Sequence, residues 1–500
     1  MLGCVMFGSE GVEIILLDRM KKRLFAVFLI MQPLFLRADE FYLTETIPTP
    51  KGEVMELGSI ALLPEKKIAV ASRRGDVWIC EGAYEEDLSQ VKWTKFAEGI
   101  HEPFGMFWRD GWLWLTQRPE LTKMRDLDGD WRADEFVTVA APWGINGDYH
   151  EFAFGTEPDK DGDVWVALCL TGSGKAADDS PFRGWGFRIS PEGKATPVVN
   201  GIRSPGGIGF NASGDCFYCD NQGLWNGSSS LKHMKVGGFM GNPSGNKYAK
   251  LQSTLKDPGT PKNKSRIEIE RQKIKELVPP AVVFPHGLVG QSPTGIITET
   301  AGGKFGPFAG QTLVGEQTHS QVQRVFLEKI NGVYQGAVWL FLEGYRSGIV
   351  PLRLSDEGML FVGGTNRGWA ARGGKPFTFE RTRWTGQLPF EMKEMKLTKG
   401  GWELVFTEPV DAVTAGDPKS YQMKAWTYIY QSSYGSPQVD QVVPQVIAAE
   451  VSEDKLSVQL KVEGRVKGHV HELNASGVKN VEGERLWHPK SYYTLNEWVQ

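Results

Sequence analysis

Short apolar runs bounded by turn residues recur along most of the chain. Each run holds about five strand-like residues after a glycine or a charged pair, a pattern typical of antiparallel strands. The runs lie at residues 67–72, 111–116, 162–168, 214–220, 310–316 and 358–363. The glycines at 111, 162 and 214 are 51 and 52 residues apart, and those at 310 and 358 are 48 apart. This spacing suits one four-stranded propeller blade with its loops.

The interval between Gly214 and Gly310 is longer, at 96 residues. It contains a polar stretch at residues 246–275 that is dense in Lys, Arg and Glu. Because no core could bury so many charges, we interpret this stretch as a surface insertion. The pattern then predicts a six-bladed β-propeller over residues 39–386, and an array of β-sandwiches with accidental spacing is the alternative.

After residue 386 the pattern changes to an alternation of apolar and polar positions. The alternation is clearest at residues 402–411, 456–462 and 469–473, and it predicts antiparallel strands with one buried face. Phe-Thr-Glu-Pro-Val-Asp at 406–411 and Gly-Val-Lys-Asn-Val-Glu-Gly at 477–483 resemble segments of bacterial immunoglobulin-like domains. The resemblance implies an all-β chain in which residues 387–500 form an immunoglobulin-like β-sandwich, used as a spacer or docking module.

The most apolar run, residues 24–36, is too short to span a bilayer comfortably. It follows Lys21, Lys22 and Arg23 and ends at a small residue before an acidic stretch, an order typical of a secretory signal peptide. A buried strand or helix is the alternative. We therefore expect translation to start at Met20, residues 1–38 to hold upstream residues and a signal peptide, and the mature protein to be secreted or periplasmic without a membrane span.

Composition and cysteine motifs exclude several classes of protein, partner and cofactor. An apolar content of 41% excludes wholesale disorder, and the net charge of −4 offers no basic field for nucleic acid. Cys216 and Cys219 fall inside an apparent strand, which argues against a redox or metal role for them. The chain has no Cys-x-x-Cys-His motif, so we expect no c-type haem.

Three segments place polar residues where propeller strands would meet central loops. They contain His150, then Arg203 followed by Gln222 and Gly223, and finally Arg346. With Arg-Ser-Pro-Gly-Gly-Ile-Gly-Phe at 203–210 and Gly-Gly-Phe-Met-Gly-Asn-Pro at 237–243, these segments resemble the soluble quinoprotein glucose dehydrogenase and sorbosone dehydrogenase family. Members of that family are six-bladed propellers that oxidise sugars with pyrroloquinoline quinone (PQQ). The chain is also similar to propellers of secreted multidomain proteins in planctomycete-type bacteria.

The resemblance implies a role for each of these residues. His150 would be the general base, because an imidazole with a pKa of about 6.5 can take a proton from a hydroxyl near neutral pH. Arg203 and Arg346 would hold the oxygens and carboxylates of PQQ, with Gln222 and Gly223 as further cofactor contacts. A carbohydrate or polyol would be oxidised, and an external electron acceptor would complete the cycle.

The chain departs from the family pattern at several positions. Ser204 stands where the family has Asn, residues 316–324 offer no counterpart of its cofactor-contacting Lys, and Gly-Ser-Ser-Ser at 227–230 replaces its calcium-binding acidic pair. A non-catalytic propeller that binds glycans or a protein partner is therefore a second hypothesis, and a lactonase or hydrolase with a channel metal is a third. On those hypotheses His150 is a hydrogen-bonded loop residue, and Arg203 and Arg346 form salt bridges between blades.

A separate acidic loop could bind calcium. Carboxylates at every second position can converge on one hard cation, and Ca²⁺ takes six to eight oxygens. The residues concerned are Asp126, Asp128, Asp130 and Asp134. A solvated acidic turn is the alternative.

Overall fold

The computed structural model describes residues 40–174, 180–368 and 370–500. The predicted signal peptide at residues 24–36 and the predicted start at Met20 lie outside the described residues. Within those described ranges the chain is all-β, and its series of sheets is consistent with a β-propeller fold. In the same ranges, none of the helices has both the length and the apolar character that a membrane crossing requires.

The first part of the chain forms units of four antiparallel strands. The strands are β1 (Tyr42–Thr46), β2 (Leu57–Leu62), β3 (Ile68–Ser72), β4 (Val77–Glu81), β5 (Lys92–Ala97), β6 (Met106–Arg109), β7 (Trp112–Thr116), β8 (Leu121–Arg125), β9 (Glu135–Ala140), β10 (Ala153–Pro158), β11 (Val164–Leu168), β12 (Trp185–Ile189), β13 (Ala195–Asn200), β14 (Pro205–Phe210), β15 (Cys216–Asp220), β16 (Ser230–His233), β17 (Val282–Val283), β18 (Pro293–Thr298), β19 (Thr312–Glu316), β20 (Gln321–Ile330), β21 (Val333–Leu342), β22 (Ile349–Leu354), β23 (Met359–Thr365) and β24 (Phe377–Trp384). Short helical turns lie at Pro64–Lys66, Leu88–Gln90, Thr171–Gly174, Pro243–Leu251 and Ile267–Glu270.

The first strands of these units surround a common axis. β2, β6, β10, β14, β18 and β22 contact one another in that order, and β22 contacts β2. The N-terminal β1 pairs with β24 and so completes the sheet that β22 begins. The six apolar runs of the sequence are the second strands of the units, β3, β7, β11, β15, β19 and β23, which confirms them as strands. The polar stretch at 246–275 lies between β16 and β17, where it carries two of the short helices.

Glycines in the first strands let neighbouring units approach closely at the axis. A Cβ on Gly105 would lie 2.3 Å from the carbonyl oxygen of Gly155, and one on Gly206 would lie 2.2 Å from that of Pro293. A Cβ on Gly155 would lie 1.9 Å from Oγ1 of Thr116. Because no side chain can occupy these gaps, glycine is required for the strands to pack at this spacing.

We expect Gly155→Ala to destabilise the fold by about 1–3 kcal/mol, because the added methyl group must displace the buried Thr116 side chain. Equilibrium unfolding in urea measures the effect. Gly400→Ala is the matched control, since a Cβ there meets no atom within 4 Å. Equal stability of the two variants would contradict the close packing at the axis.

Residues 387–500, the C-terminal module, form two further groups of strands. The strands are β25 (Met392–Leu397), β26 (Gly401–Phe406), β27 (Gln422–Tyr428), β28 (Gln438–Val442), β29 (Gln445–Val451), β30 (Ser457–Glu463), β31 (His469–Asn474) and β32 (Lys490–Leu495), with short helical turns at Ala412–Ala415 and Pro418–Ser420. One sheet has the order β25-β26-β30-β29. The other strands, β32-β31-β27-β28, continue the sheet of β18–β21 because β32 pairs with β21.

The C-terminal module is joined to the rest of the chain by a shared sheet and a shared core. Trp339 of β21 packs in the same buried cluster as Trp402 and Tyr493 of the module. The guanidinium of buried Arg324 lies 4.4 Å from the ring centroid of Trp339 and donates to the carbonyl of Met392 at 2.8 Å. The C-terminal module therefore shares one sheet and one buried cluster with β21, and the domain boundary at residue 387 stays a prediction.

Candidate functional site

A cavity of about 100 Å³ opens at one end of the ring of first strands. We call it the mouth cavity. Its walls are the beginnings of first strands, the ends of second strands and the loops between units, which are adjacent because the strands are antiparallel. The lining residues are Arg73, Phe104, Tyr149, His150, Phe152, Phe154, Ser204, Pro205, Gly206, Asn221, Ser292, Thr294, Gln317, Val350, Thr365 and Arg367.

His150 sits on a loop that Arg118 holds in place. The guanidinium of Arg118 donates to the carbonyl of Asp148 at 2.7 Å and to that of Tyr149 at 2.6 Å. The same guanidinium lies 4.8 Å from the ring centroid of Phe152, on the other side of His150 in sequence. The backbone N–H of His150 donates to the carboxylate of Asp148 at 2.8 Å. The backbone that carries the imidazole is thus held by bonds to its neighbours.

A buried carboxylate orders the beginning of the same loop. Glu151 accepts hydrogen bonds from the backbone N–H groups of Asn146 at 2.9 Å and Gly147 at 3.0 Å, and from the hydroxyl of Ser180 at 2.8 Å. These donors supply the hydrogen bonds that the buried carboxylate cannot obtain from water. The loop therefore holds one backbone conformation without belonging to a strand.

The imidazole of His150 is kept neutral by its surroundings. Burial lowers the pKa of His150 below its usual value, the positive charges of Arg203 and Arg118 lower that pKa further, and Asp148 opposes them. Its Nδ1 is buried and has no hydrogen-bond partner among the described residues. A neutral imidazole on a cavity wall can accept a proton from a ligand.

Arg203 lies behind the cavity wall. Its side chain is buried, and its guanidinium donates to the carbonyl of Gln222 at 2.9 Å. A Cβ on Gly223 would lie 2.3 Å from Cζ of Arg203, so the guanidinium packs directly on the backbone of Gly223. Gln222 and Gly223 thus contact Arg203, and the preceding Asn221 reaches the cavity.

The structure does not bring Arg346 together with His150. The Arg346 side chain is exposed, donates to the hydroxyl of Thr46 on β1 at 3.3 Å, and does not line the mouth cavity. Two other arginines, Arg73 and Arg367, line it instead.

Sequence reasoning missed Arg73 and Arg367, although they share a positional signal. Both follow a second strand: Arg73 comes directly after β3, and Arg367 comes two residues after β23. Asn221 after β15 and Gln317 after β19 occupy corresponding places. Arg73 pairs with Glu102 at 3.0 Å, and Arg367 pairs with Glu56 at 3.1 Å.

The serines that replace the family's acidic pair are engaged within the protein. The hydroxyl of Ser228 donates to the carbonyl of Phe284 at 2.8 Å, and that of Ser229 donates to the carbonyl of Gln291 at 2.7 Å. These bonds join β16 and its neighbouring loops. Both hydroxyls are therefore engaged in structural bonds within the protein.

The acidic loop lies in the hairpin between β8 and β9, at the end of the ring opposite the mouth cavity. Ligand oxygens of Asp126, Asp128 and Asp130 lie within 4.8 Å of one another. Asp126 also accepts a hydrogen bond from the backbone N–H of Trp131 at 2.7 Å, and Asp134 accepts one from Leu127 at 2.7 Å. These bonds suit an ordered acidic turn, and calcium binding by the four carboxylates stays a prediction.

The sheets and the mouth cavity define an all-β protein of propeller type with a polar site at one end of its axis. The model of a family described as a domain of unknown function (DUF7133) matches residues 41–337, and the chain belongs to that family. No curated protein matches the chain.

Several solved structures are similar to this chain. The PQQ-bound form of an aldose sugar dehydrogenase from Streptomyces coelicolor is 14% identical, covers 69% of this chain and 98% of its own, and has a TM-score of 0.46. A member of carbohydrate-active enzyme family AA12 from Trichoderma reesei is 12% identical, with coverages of 70% and 97% and a TM-score of 0.47. The PQQ domain of a pyranose dehydrogenase from Coprinopsis cinerea is 11% identical, with coverages of 68% and 95% and a TM-score of 0.45.

Proposed function

We propose that this chain is an oxidoreductase that oxidises a sugar or polyol hydroxyl in the mouth cavity, with His150 as general base. The observation that carries the proposal is a half-buried imidazole with a lowered pKa on a wall that also presents Arg73 and Arg367. A neutral base beside two fixed cations suits a reaction in which a proton leaves and negative charge develops.

The residues of the cavity fit PQQ, a flat cofactor with three carboxylates. Two guanidinium groups supply charge, and the rings of Phe152 and Phe154 supply an apolar wall. Nδ1 of His150 and Oδ1 of Asn221 are buried without hydrogen-bond partners among the described residues, as expected for atoms that meet a ligand. We propose that Arg73, Arg367 and Asn221 hold the cofactor. When bound, it supplies a two-electron acceptor.

The chain's own residues would perform the proton chemistry. A ring nitrogen of His150 would accept the proton of the substrate hydroxyl as the alcohol is oxidised to a carbonyl compound, and bound PQQ would supply the acceptor for the two electrons. The nearby charge of Arg203 disfavours protonation of the imidazole before substrate binds, and so preserves the base. Arg118 keeps the loop in place, so the imidazole does not have to be reorganised for each turnover.

The same proposal includes the remaining sequence-based expectations. We propose that the ring is a six-bladed propeller, that the C-terminal module is an immunoglobulin-like sandwich, and that the protein works outside the cytoplasm with an external electron acceptor. Asp126, Asp128, Asp130 and Asp134 would bind calcium at the opposite end of the ring, apart from the reaction.

Two measurements made after addition of PQQ test the proposal. Calorimetry measures the binding of PQQ, and sugar-dependent reduction of an artificial dye measures turnover. We expect Arg367→Gln to weaken PQQ binding by about 10- to 100-fold, since it removes one charge-assisted contact. Arg74→Gln is the matched control, because Arg74 also pairs with Glu56, at 3.3 Å, but does not line the cavity. The same loss in both variants would assign the effect to Glu56 and would contradict a direct contact.

A non-catalytic binding module is the second candidate. The ion pairs of Arg73 with Glu102 and of Arg367 with Glu56 favour it, because these carboxylates compete with a tricarboxylate for the two guanidinium groups. Three results together would support this candidate: a glycan binds, PQQ gives no heat in calorimetry, and no dye is reduced.

A further inference from the structure

A loop of the C-terminal module is hydrogen-bonded to the segment that follows Asn221 of the mouth cavity. We call residues 429–436, between β27 and β28, the C-terminal loop. Trp225 donates its backbone N–H to the carbonyl of Gln431 at 2.7 Å, and Gly435 donates to the carbonyl of Gly223 at 3.0 Å. Residues 223–225 directly follow Asn221 and Gln222, so these bonds fix the segment that reaches the cavity.

Tyr430 anchors the beginning of this loop. Its ring lies 5.1 Å from that of Trp225, and its hydroxyl donates to the carbonyl of Gly241. Its backbone exchanges two hydrogen bonds of 3.0 Å with Ser265 of the insertion. The tyrosine is fully buried, so the loop is tied to the propeller at several points and is not a mobile flap.

At the tip of the loop, Tyr434 covers Arg203. The guanidinium of Arg203 lies 5.3 Å from the ring centroid of Tyr434 and packs on the backbone of Gly223. Tyr434 is 57% exposed, whereas Arg203 is buried. The ring thus shields a buried cation from water, a geometry in which cation–π attraction is strongest.

We propose that the C-terminal loop is part of the functional site, with Tyr434 as a positioning residue that holds Arg203 next to the loop of His150. The C-terminal module therefore supports the segment that borders the mouth cavity and is not only a spacer. Arg203 precedes Ser204, which lines the cavity, and its guanidinium rests on the backbone of Gly223, two residues after the lining residue Asn221. The proposal concerns the arrangement of the cavity and holds whichever ligand the cavity binds.

The test is an NMR titration of histidine in the full-length, ligand-free chain, with His150→Gln used to assign the His150 signal. The charged groups that act on His150 are Arg203, Arg118 and Asp148. Without its tyrosine cover, Arg203 becomes solvated and mobile, and its effect on the imidazole weakens. We expect Tyr434→Ala to raise the pKa of His150 by about 0.5 unit.

Two variants at the same position and one elsewhere complete the test. Tyr434→Phe keeps the ring and should preserve the wild-type pKa of His150, whereas Tyr434→Leu removes the ring and should behave like Tyr434→Ala. Trp498→Ala is the matched control, because it breaks another arginine–ring contact of the module, 5.2 Å from Arg465. A His150 titration that is unchanged in both Tyr434→Ala and Tyr434→Leu would overturn the proposal, as would an equal shift in Trp498→Ala.

Discussion

His150→Gln is expected to lower turnover of the proposed reaction by about 10²- to 10⁴-fold, the usual contribution of a general base. The amide cannot accept the hydroxyl proton, although it occupies similar space in the cavity. The fold should be unaffected, because the loop is held by Arg118 and Glu151 and not by the imidazole ring. Dye reduction with PQQ and sugar measures the turnover, and circular dichroism measures the fold.

The same histidine sets the expected pH dependence. Since burial and the charge of Arg203 lower the pKa of His150 in the folded protein, the imidazole keeps its neutral form at lower pH than a free imidazole does. Activity should therefore persist into mildly acidic solution and fall only as the pH drops through the lowered pKa. A pH profile of kcat/KM locates this fall.

His286→Gln is the control for the loss of activity, because His286 is exposed and does not line the mouth cavity. Its turnover should equal that of the wild type. If His150→Gln retains full activity, the histidine has no part in the chemistry. If kcat/KM already falls above pH 6.5 as the solution is acidified, the base is a different group.

Lys232→Met is expected to destabilise the fold by about 3–5 kcal/mol, because it leaves a buried carboxylate without its counter-ion. Lys232 is 2% exposed and Asp220 is 0% exposed. The Lys232 ammonium donates to the Asp220 carboxylate at 3.0 Å and to the carbonyl of Met240 at 3.0 Å. Asp220 also accepts a hydrogen bond from the backbone N–H of Ser204 at 2.9 Å, so the pair supports the cavity wall.

Urea unfolding of Lys232→Met measures the loss of stability. Lys329→Met is the matched control, since Lys329 pairs with Asp215 at 3.1 Å but is 44% exposed, and its loss should cost about 1 kcal/mol or less. The double variant Lys232→Met, Asp220→Leu should recover part of the stability, because no charge is then buried alone. Equal losses for the two lysine variants would show that burial does not govern this pair.

The strands were predictable because their signal is local. A run of apolar residues after a turn, as in β7 or β15, needs no information from elsewhere in the chain. The surface insertion was predictable for the same reason, since its charge density excludes a core position. The loop of His150 was selected by motif, and the structure places that histidine on a cavity wall.

The partners of His150 were not predictable in the same way. Arg346 and Arg367 both stand in polar segments near glycines, and nothing local distinguishes them. Arg367 follows the end of β23 and lines the mouth cavity, whereas the exposed Arg346 side chain reaches Thr46 on β1. Arg73 was missed because its site forms only when the ring brings several second strands together.

The all-β character, the repeated strands and the small negative net charge follow from the sequence alone, because each depends on residue type and short-range periodicity. The sheet that the C-terminal module shares with β21, and the contact of its loop with Arg203, are seen only in the tertiary structure. Backbone hydrogen bonds between β21 and β32 are made by the same N–H and C=O groups in any sequence. The residue types therefore do not reveal that these two strands pair. Contacts across some 200 residues, such as that of Tyr434 with Arg203, follow from where those strands pair.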